Sequence, residues 1–372
     1  MTESKIEPKN PQPGWLGQFL DTSLMDAPPY AIDINQVATK LDQNESPYDW
    51  PMTLKEKVMK HMLAKSWNRY PTAHAPKLAK IIADYVHVPA ECVLTGPGSD
   101  HLLTLILLLF SAKARGEVIV ARPSFPHYES QPKYYGIPVT PWHLTSALEY
   151  DVAALAKMPA GSVVFFPPPN NPVGNSLPYQ SFEKLLQQHP QSLFIADEAY
   201  VEFSAQPYTP LLDKYANLIL VRTFSKTMAA AGIRLGYTLA SADLTAQLRK
   251  ARLPYIVNEF TMSAVEILLN DAEAQANFKK TAKDTIAQRE LLRSRLQEFA
   301  QRYGFKVYPS QANFLLLRWN DPAVCQKTYV HLVKQGFQLR NVSKTPGLEG
   351  CLRLTVGNET ENQAFLKAFA NS

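Results

Sequence analysis

Cysteine is scarce in this 372-residue chain: Cys92, Cys325 and Cys351 are odd in number and far apart. Their spacing fits neither a disulfide framework nor a thiolate metal site, so the fold must rest on its apolar core, and a reducing cytoplasm is the expected home. Long apolar runs are also missing. The longest, residues 102–110 with Thr104 inside it, falls far short of the ~20 residues a spanning helix needs, so no membrane segment is expected. The first 15 residues are polar and proline-rich, without an apolar stretch of the kind that directs secretion. The eight histidines are scattered without ligand spacing, which leaves metal catalysis unsupported. Charge excess is small, a formal +5, and Lys57, Lys60, Lys65, Lys279, Lys280 and Lys283 fall at helical spacings. Solvated helix faces account for them better than a nucleic-acid surface does. No repeat or low-complexity tract is present.

What remains is an ordinary globular composition, 46% hydrophobic and 19% charged, long enough for two domains. Residues 1–30 hold Pro8, Pro11, Pro13, Pro28 and Pro29 with little periodicity and read as an extended arm. From about residue 75 helical and strand patterns alternate. Helices are expected over 77–86, 99–110, 152–157 and 179–188, and short strands over 93–96, 117–121, 138–142, 163–166, 193–196 and 217–222. Short strands apolar on both faces argue for an α/β unit with a mostly parallel sheet covered by helices. After residue 255 the pattern becomes a long helix over 272–303, strands over 314–317 and 352–356, and helices over 324–334 and 361–370. This predicts a smaller α+β domain. The expected division is 1–45 for the arm and start of the small domain, 46–255 for the large domain and 256–372 for the small one.

Chemistry concentrates at the ends of the predicted strands. Lys226 follows the apolar run 218–221 and stands eight residues before Arg234 and ten before Gly236. An imine-forming amine beside an oxyanion-binding group is the minimum equipment for holding pyridoxal phosphate. That cofactor also needs a carboxylate at its pyridinium nitrogen, donors at its phenolate oxygen, a stacking side chain and a phosphate cradle. Asp197 closes the strand at 193–196, at the edge where α/β sheets place ligands. Asn171, in Pro169-Asn170-Asn171-Pro172-Val173-Gly174, and Tyr200, in Asp197-Glu198-Ala199-Tyr200, supply donors to the phenolate oxygen. The turn Gly96-Pro97-Gly98-Ser99-Asp100 joins a strand to a helix, whose free amides and dipole attract an anion; Ser225 and Arg234 complete that cradle. Phe125 is the candidate for stacking. Each signal alone has a bland alternative: a surface lysine, a turn aspartate, a core phenylalanine, or a helix capped by Ser99.

Together these segments resemble the histidinol-phosphate aminotransferases, within the fold-type I pyridoxal phosphate enzymes, from about Leu41 to the C-terminus. Further matches are Leu41-Asp42-Gln43-Asn44-Glu45-Ser46-Pro47-Tyr48, Asn68-Arg69-Tyr70-Pro71, Ala312-Asn313-Phe314 and Leu352-Arg353-Leu354-Thr355-Val356-Gly357. Aromatic aminotransferases and threonine-phosphate decarboxylases share the pattern less closely. A cofactor-sensing regulator is a further alternative, although the stretch before residue 45 is short for a DNA-reading module. The resemblance implies a seven-stranded large domain, catalytic roles for Lys226, Asp197 and Tyr200, and a homodimer in which Tyr70 reaches the cofactor phosphate of the neighbouring subunit. It implies that Arg340 and Arg353, with Asn171, bind the substrate's acidic end, and that the reaction converts L-histidinol phosphate and 2-oxoglutarate to imidazole-acetol phosphate and L-glutamate. Guanidinium forks suit both a phosphate and a carboxylate. The chain departs from the family at Pro97, where asparagine is usual, at His101, where an acid is usual, at Phe125, where tyrosine is common, and over Met228 to Ala231.

Overall fold

The computed structural model describes residues 37–111 and 114–371; the arm expected over residues 1–30 lies outside them. In chain order the strands are β1 (Thr39–Leu41), β2 (Val93–Gly96), β3 (Val118–Arg122), β4 (Thr140–His143), β5 (Val163–Phe166), β6 (Leu193–Asp197), β7 (Leu218–Thr223), β8 (Gly236–Ala240), β9 (Phe305–Val307), β10 (Phe314–Trp319), β11 (Phe337–Asn341) and β12 (Cys351–Thr355). They form two sheets. Seven strands run in the order β2-β8-β7-β6-β5-β3-β4, and five in the order β1-β11-β12-β10-β9.

In the larger sheet the pairs β7–β6, β6–β5, β5–β3 and β3–β4 are parallel, while β8 is antiparallel to both β7 and β2. Both faces are covered, as the unbroken apolar runs require. Ala121, Phe166, Phe194, Ala196, Leu218 and Leu220 pack with helices Met52–Leu63, Pro76–Val86, Tyr179–Gln188 and Glu259–Asn270. On the opposite face Val120, Phe165, Ile195, Ile219 and Val221 pack with helices Ser99–Ile106 and Ala242–Ala251. Val257, Val265, Leu268 and Phe278 also belong to the first of these cores.

The helix Ala272–Tyr303 ties the two sheets together. It starts on Asp271, whose side chain accepts from the Ala274 amide, and stops at left-handed Gly304. Its first turns carry Ala274 and Phe278 into the large core, and Leu292 and Leu296 enter the core of the small sheet. Arg289 is buried on this helix and donates to the Ala312 carbonyl at 2.9 Å.

Several predicted elements differ in extent or kind. The helix expected over 99–110 ends as an α-helix at Ile106 and continues as a π-helical turn, Leu107–Ser111. The segment expected as a helix over 152–157 is a 3-10 turn, Val152–Leu155. β1, β8, β9 and β11 and the helices His127–Tyr134, Ala242–Ala251 and Glu259–Asn270 were not anticipated as elements, whereas the helical spacing of Lys57 and Lys60 matches the helix Met52–Leu63. No helix among the described residues is long and apolar enough to cross a membrane.

Candidate active site

Because β2, β3, β5, β6 and β7 all point the same way, the residues just after them meet along one sheet edge. Ser99 and Asp100 follow β2, Phe125 follows β3, Asn171 follows β5, Asp197 ends β6, and Ser225 and Lys226 follow β7. Antiparallel β8 begins at the same edge, which brings in Arg234. The small sheet adds Arg340 and Arg353. These side chains, with Tyr200, line one cavity of about 580 Å³. Tyr70 does not line it: it is 82% exposed and stacks on Tyr255, with ring centroids 4.7 Å apart.

At the anion turn, Gly98 rather than Ser99 is the residue before the helix, with φ 91° and no side-chain cap. The Ser99 hydroxyl is therefore not spent on capping. Arg234, itself left-handed with φ 58°, lies over this turn: a Cβ on Gly98 would sit 2.6 Å from its Nη2. A Cβ on Gly236 would meet the Gly98 carbonyl carbon and the Ser99 nitrogen, each at 2.6 Å. Only glycine lets β8 approach the turn this closely. The Thr223 hydroxyl donates to Ser225 Oγ at 2.9 Å and accepts from the Ser225 amide at 3.1 Å.

Asp197 and Lys226 are the chemically telling pair. Asp197 is buried; its Oδ2 accepts from the Tyr128 hydroxyl at 2.5 Å and its Oδ1 from the Ala199 amide at 3.2 Å. Burial pushes its pKa from 3.8 up to about 7. Lys226 Nζ donates to the Gln43 carbonyl at 3.0 Å. Burial first, and the Arg353 guanidinium second, push its pKa from 10.5 down to about 8. No ion pair joins these two among the described residues, although pairing would relieve both. Opposite charges held apart across one cavity leave room for a group that meets an amine at one end and a carboxylate at the other.

Tyr200 is buried, and its pKa is pushed up to about 12 by burial, so it remains a donor at neutral pH. Its oxygen accepts from Asn44 Nδ2 at 2.9 Å, leaving its own proton to donate. Asn171 Oδ1 accepts from Arg353 Nη1, which turns the amide NH₂ into the group left for a ligand. Arg353 Nη2 also donates to the Asp42 carbonyl, and its guanidinium carbon lies 5.4 Å from the Phe314 ring centroid. Arg340 and Arg353 are direct cross-strand partners in the β11–β12 register. β11 is interior, flanked by β1 and β12, so Arg340 is not on an edge strand. That register sets two guanidinium-bearing residues side by side on the cavity wall.

Sequence reasoning gave no role to Tyr128, nor to residues 42–45, which follow β1 and line the cavity. Asn44 deserved one on its local chemistry: it is buried and left-handed (φ 53°), and its side chain joins Tyr200 to Thr355. The model of the family described as aminotransferase class I and II matches residues 37–369. A histidinol-phosphate aminotransferase of Thermococcus gammatolerans is 36% identical over 341 residues, covering 91% of this chain and 93% of that protein. The structure of the histidinol-phosphate aminotransferase from Clostridium acetobutylicum matches with TM-score 0.79 at 22% identity, over 90% of this chain and 98% of the other. That of the Sinorhizobium meliloti histidinol-phosphate aminotransferase, solved in complex with pyridoxal-5'-phosphate, matches with TM-score 0.77 at 21% identity, over 90% and 91%. Fold and site thus define an aminotransferase of class I and II, and within that class the chain belongs to the histidinol-phosphate aminotransferase family.

Proposed function

We propose that this protein is a pyridoxal phosphate-dependent aminotransferase that passes the amino group of L-histidinol phosphate to 2-oxoglutarate, yielding imidazole-acetol phosphate and L-glutamate, a step of histidine biosynthesis. The observation that carries the substrate reading is the Arg340–Arg353 pair on the wall of the cavity that also holds Lys226. Two cations in register suit substrates that alternately present a phosphate and a carboxylate.

The cavity residues fit the cofactor, and each has a role to assign. Bound pyridoxal phosphate supplies an electrophilic aldehyde and a pyridine ring that withdraws electrons. Ser99, Asp100 through its helix N-terminus, Ser225 and Arg234 hold the phosphate. Phe125 packs on the ring. Asp197 holds the proton at the ring nitrogen, while Asn171 and Tyr200 donate at the phenolate oxygen. Lys226 would be the attachment point, and its amine, with its pKa pushed down to about 8, would take the proton from the substrate Cα and return it as general base and acid. Arg353, fixed by Asn171 and the Asp42 carbonyl, and Arg340 beside it hold the acidic end of each substrate in turn.

The proposal includes a homodimer in which Tyr70, exposed on its own chain, completes the phosphate cradle of the neighbouring subunit. It also keeps the division into residues 1–45, 46–255 and 256–372, with the helix Glu259–Asn270 packed on the large unit, and a cytoplasmic location. An amino-donor panel with 2-oxoglutarate, run with and without phosphate esters, tests the reading. Glutamate should form fastest with histidinol phosphate and without carbon dioxide. Carbon dioxide release would instead support a decarboxylase, and preference for phenylalanine an aromatic aminotransferase.

A further inference from the structure

We propose that Tyr128 is a positioning residue for Asp197: its hydroxyl fixes the carboxylate that serves the cofactor ring nitrogen, and its ring edge backs Phe125, the stacking side chain. This rests on the cofactor reading above. Tyr128 is the second residue of the short helix His127–Tyr134 and is 3% exposed. Its ring meets Phe125 edge-on, 5.9 Å between centroids at 87°, and leans on Phe165 of β5 at 6.3 Å. A phenylalanine would fill that space equally well. The hydroxyl needs a reason of its own, and it finds one in Asp197 Oδ2 at 2.5 Å.

The surroundings make that contact singular. Asp100 and Glu198 both bear on Asp197 as like charges and favour its protonation. Two other tyrosines lie close enough to interact with it, but the Tyr150 hydroxyl donates to the Pro167 carbonyl at 2.6 Å, and the Tyr200 hydroxyl makes no hydrogen bond to Asp197 among the described residues. Tyr128 is thus the side chain that donates to Asp197 among the described residues, the Ala199 amide being its other donor. A carboxylate has about four acceptor directions. Two are filled from the protein side, which sets the plane of the group and leaves the remainder for the ring nitrogen. Without the hydroxyl, a buried acid between two like charges keeps its proton and loses its ability to accept one from the ring.

The test is equilibrium binding of pyridoxal phosphate to the full chain, wild type against Tyr128→Phe. The same comparison uses the 1-deaza analogue, in which CH replaces the ring nitrogen. Near pH 7 the variant should bind pyridoxal phosphate about tenfold more weakly, the scale of one hydrogen bond to a charged group. The gap should close at alkaline pH, where Asp197 is ionised in both proteins. The deaza analogue should bind both within about twofold. In an Asp197→Asn background the tyrosine change should add nothing. Wild type that binds no pyridoxal phosphate would overturn the cofactor reading and this inference with it. Binding by wild type and Tyr128→Phe within twofold near pH 7 would overturn the inference alone. So would a tenfold loss that persists for the deaza analogue, or one that adds fully to Asp197→Asn.

Discussion

Freed of cofactor, the protein should capture pyridoxal phosphate covalently at a rate that climbs with pH and levels off above about 8, because only the neutral Lys226 amine attacks an aldehyde. An exposed lysine, with a pKa near 10.5, is neutral at pH 7 in only a few molecules in ten thousand. With its pKa pushed down to about 8, Lys226 is neutral in about a tenth of molecules, a gain of about 300-fold. Burial is the first cause and Arg353 the second, with Arg234 acting in the same direction and Glu45 and Asp100 against it. Arg353→Met should therefore move the rate profile to higher pH and slow capture near neutrality, while Glu45→Gln should do the opposite. Stopped-flow absorbance of the lysine-bound cofactor gives the rate, with a small-molecule amine measured in parallel to cancel the titration of the cofactor itself. Borohydride trapping followed by peptide mapping assigns the product to Lys226. A profile that tracks the free amine, still rising through pH 10, would refute the claim that the site has lowered this pKa.

Other consequences are open to direct measurement. Arg353→Ala should raise KM for both amino donor and 2-oxoglutarate by roughly 10- to 100-fold, the cost of a charge-assisted pair; an effect on one substrate alone would end the shared-site argument. Gly236→Ala should lower stability by about 1–3 kcal/mol and weaken phosphate binding, since its Cβ meets backbone atoms of Gly98 and Ser99 at 2.6 Å; an unchanged melting temperature would contradict that close approach. The raised pKa of Asp197 means that, without cofactor, the folded chain keeps a proton the unfolded chain releases above pH 3.8. Stability should thus fall as pH rises from about 4 to about 7, by up to about 4 kcal/mol, and Asp197→Asn should flatten that slope in denaturant titrations; equal slopes would dismiss it.

What was legible in the sequence, and what was not, divides along a physical line. A residue whose role depends on its own type and its place at a strand end could be read directly. Asp197 ends an apolar run, Ser225 and Lys226 follow another, and Ser99 opens a helix after a glycine turn; parallel strands then bring those ends together with no further information needed. Roles that depend on which strand lies beside which could not be read. β8 begins at Gly236, ten residues after Lys226, and only its antiparallel insertion between β2 and β7 explains why Gly236 must be glycine. Nothing local to Arg340 reveals that β1 covers the other flank of its strand, or that register sets it opposite Arg353. Tyr128 is 69 residues from Asp197, in a helix whose weak periodicity and internal proline hid it. The reacting groups are thus inscribed locally while the groups that tune them are inscribed by topology. Of the departures at Pro97, His101 and Phe125, Phe125 lines the cavity itself, while Pro97 and His101 flank the turn at Gly98 and Ser99 that opens the helix.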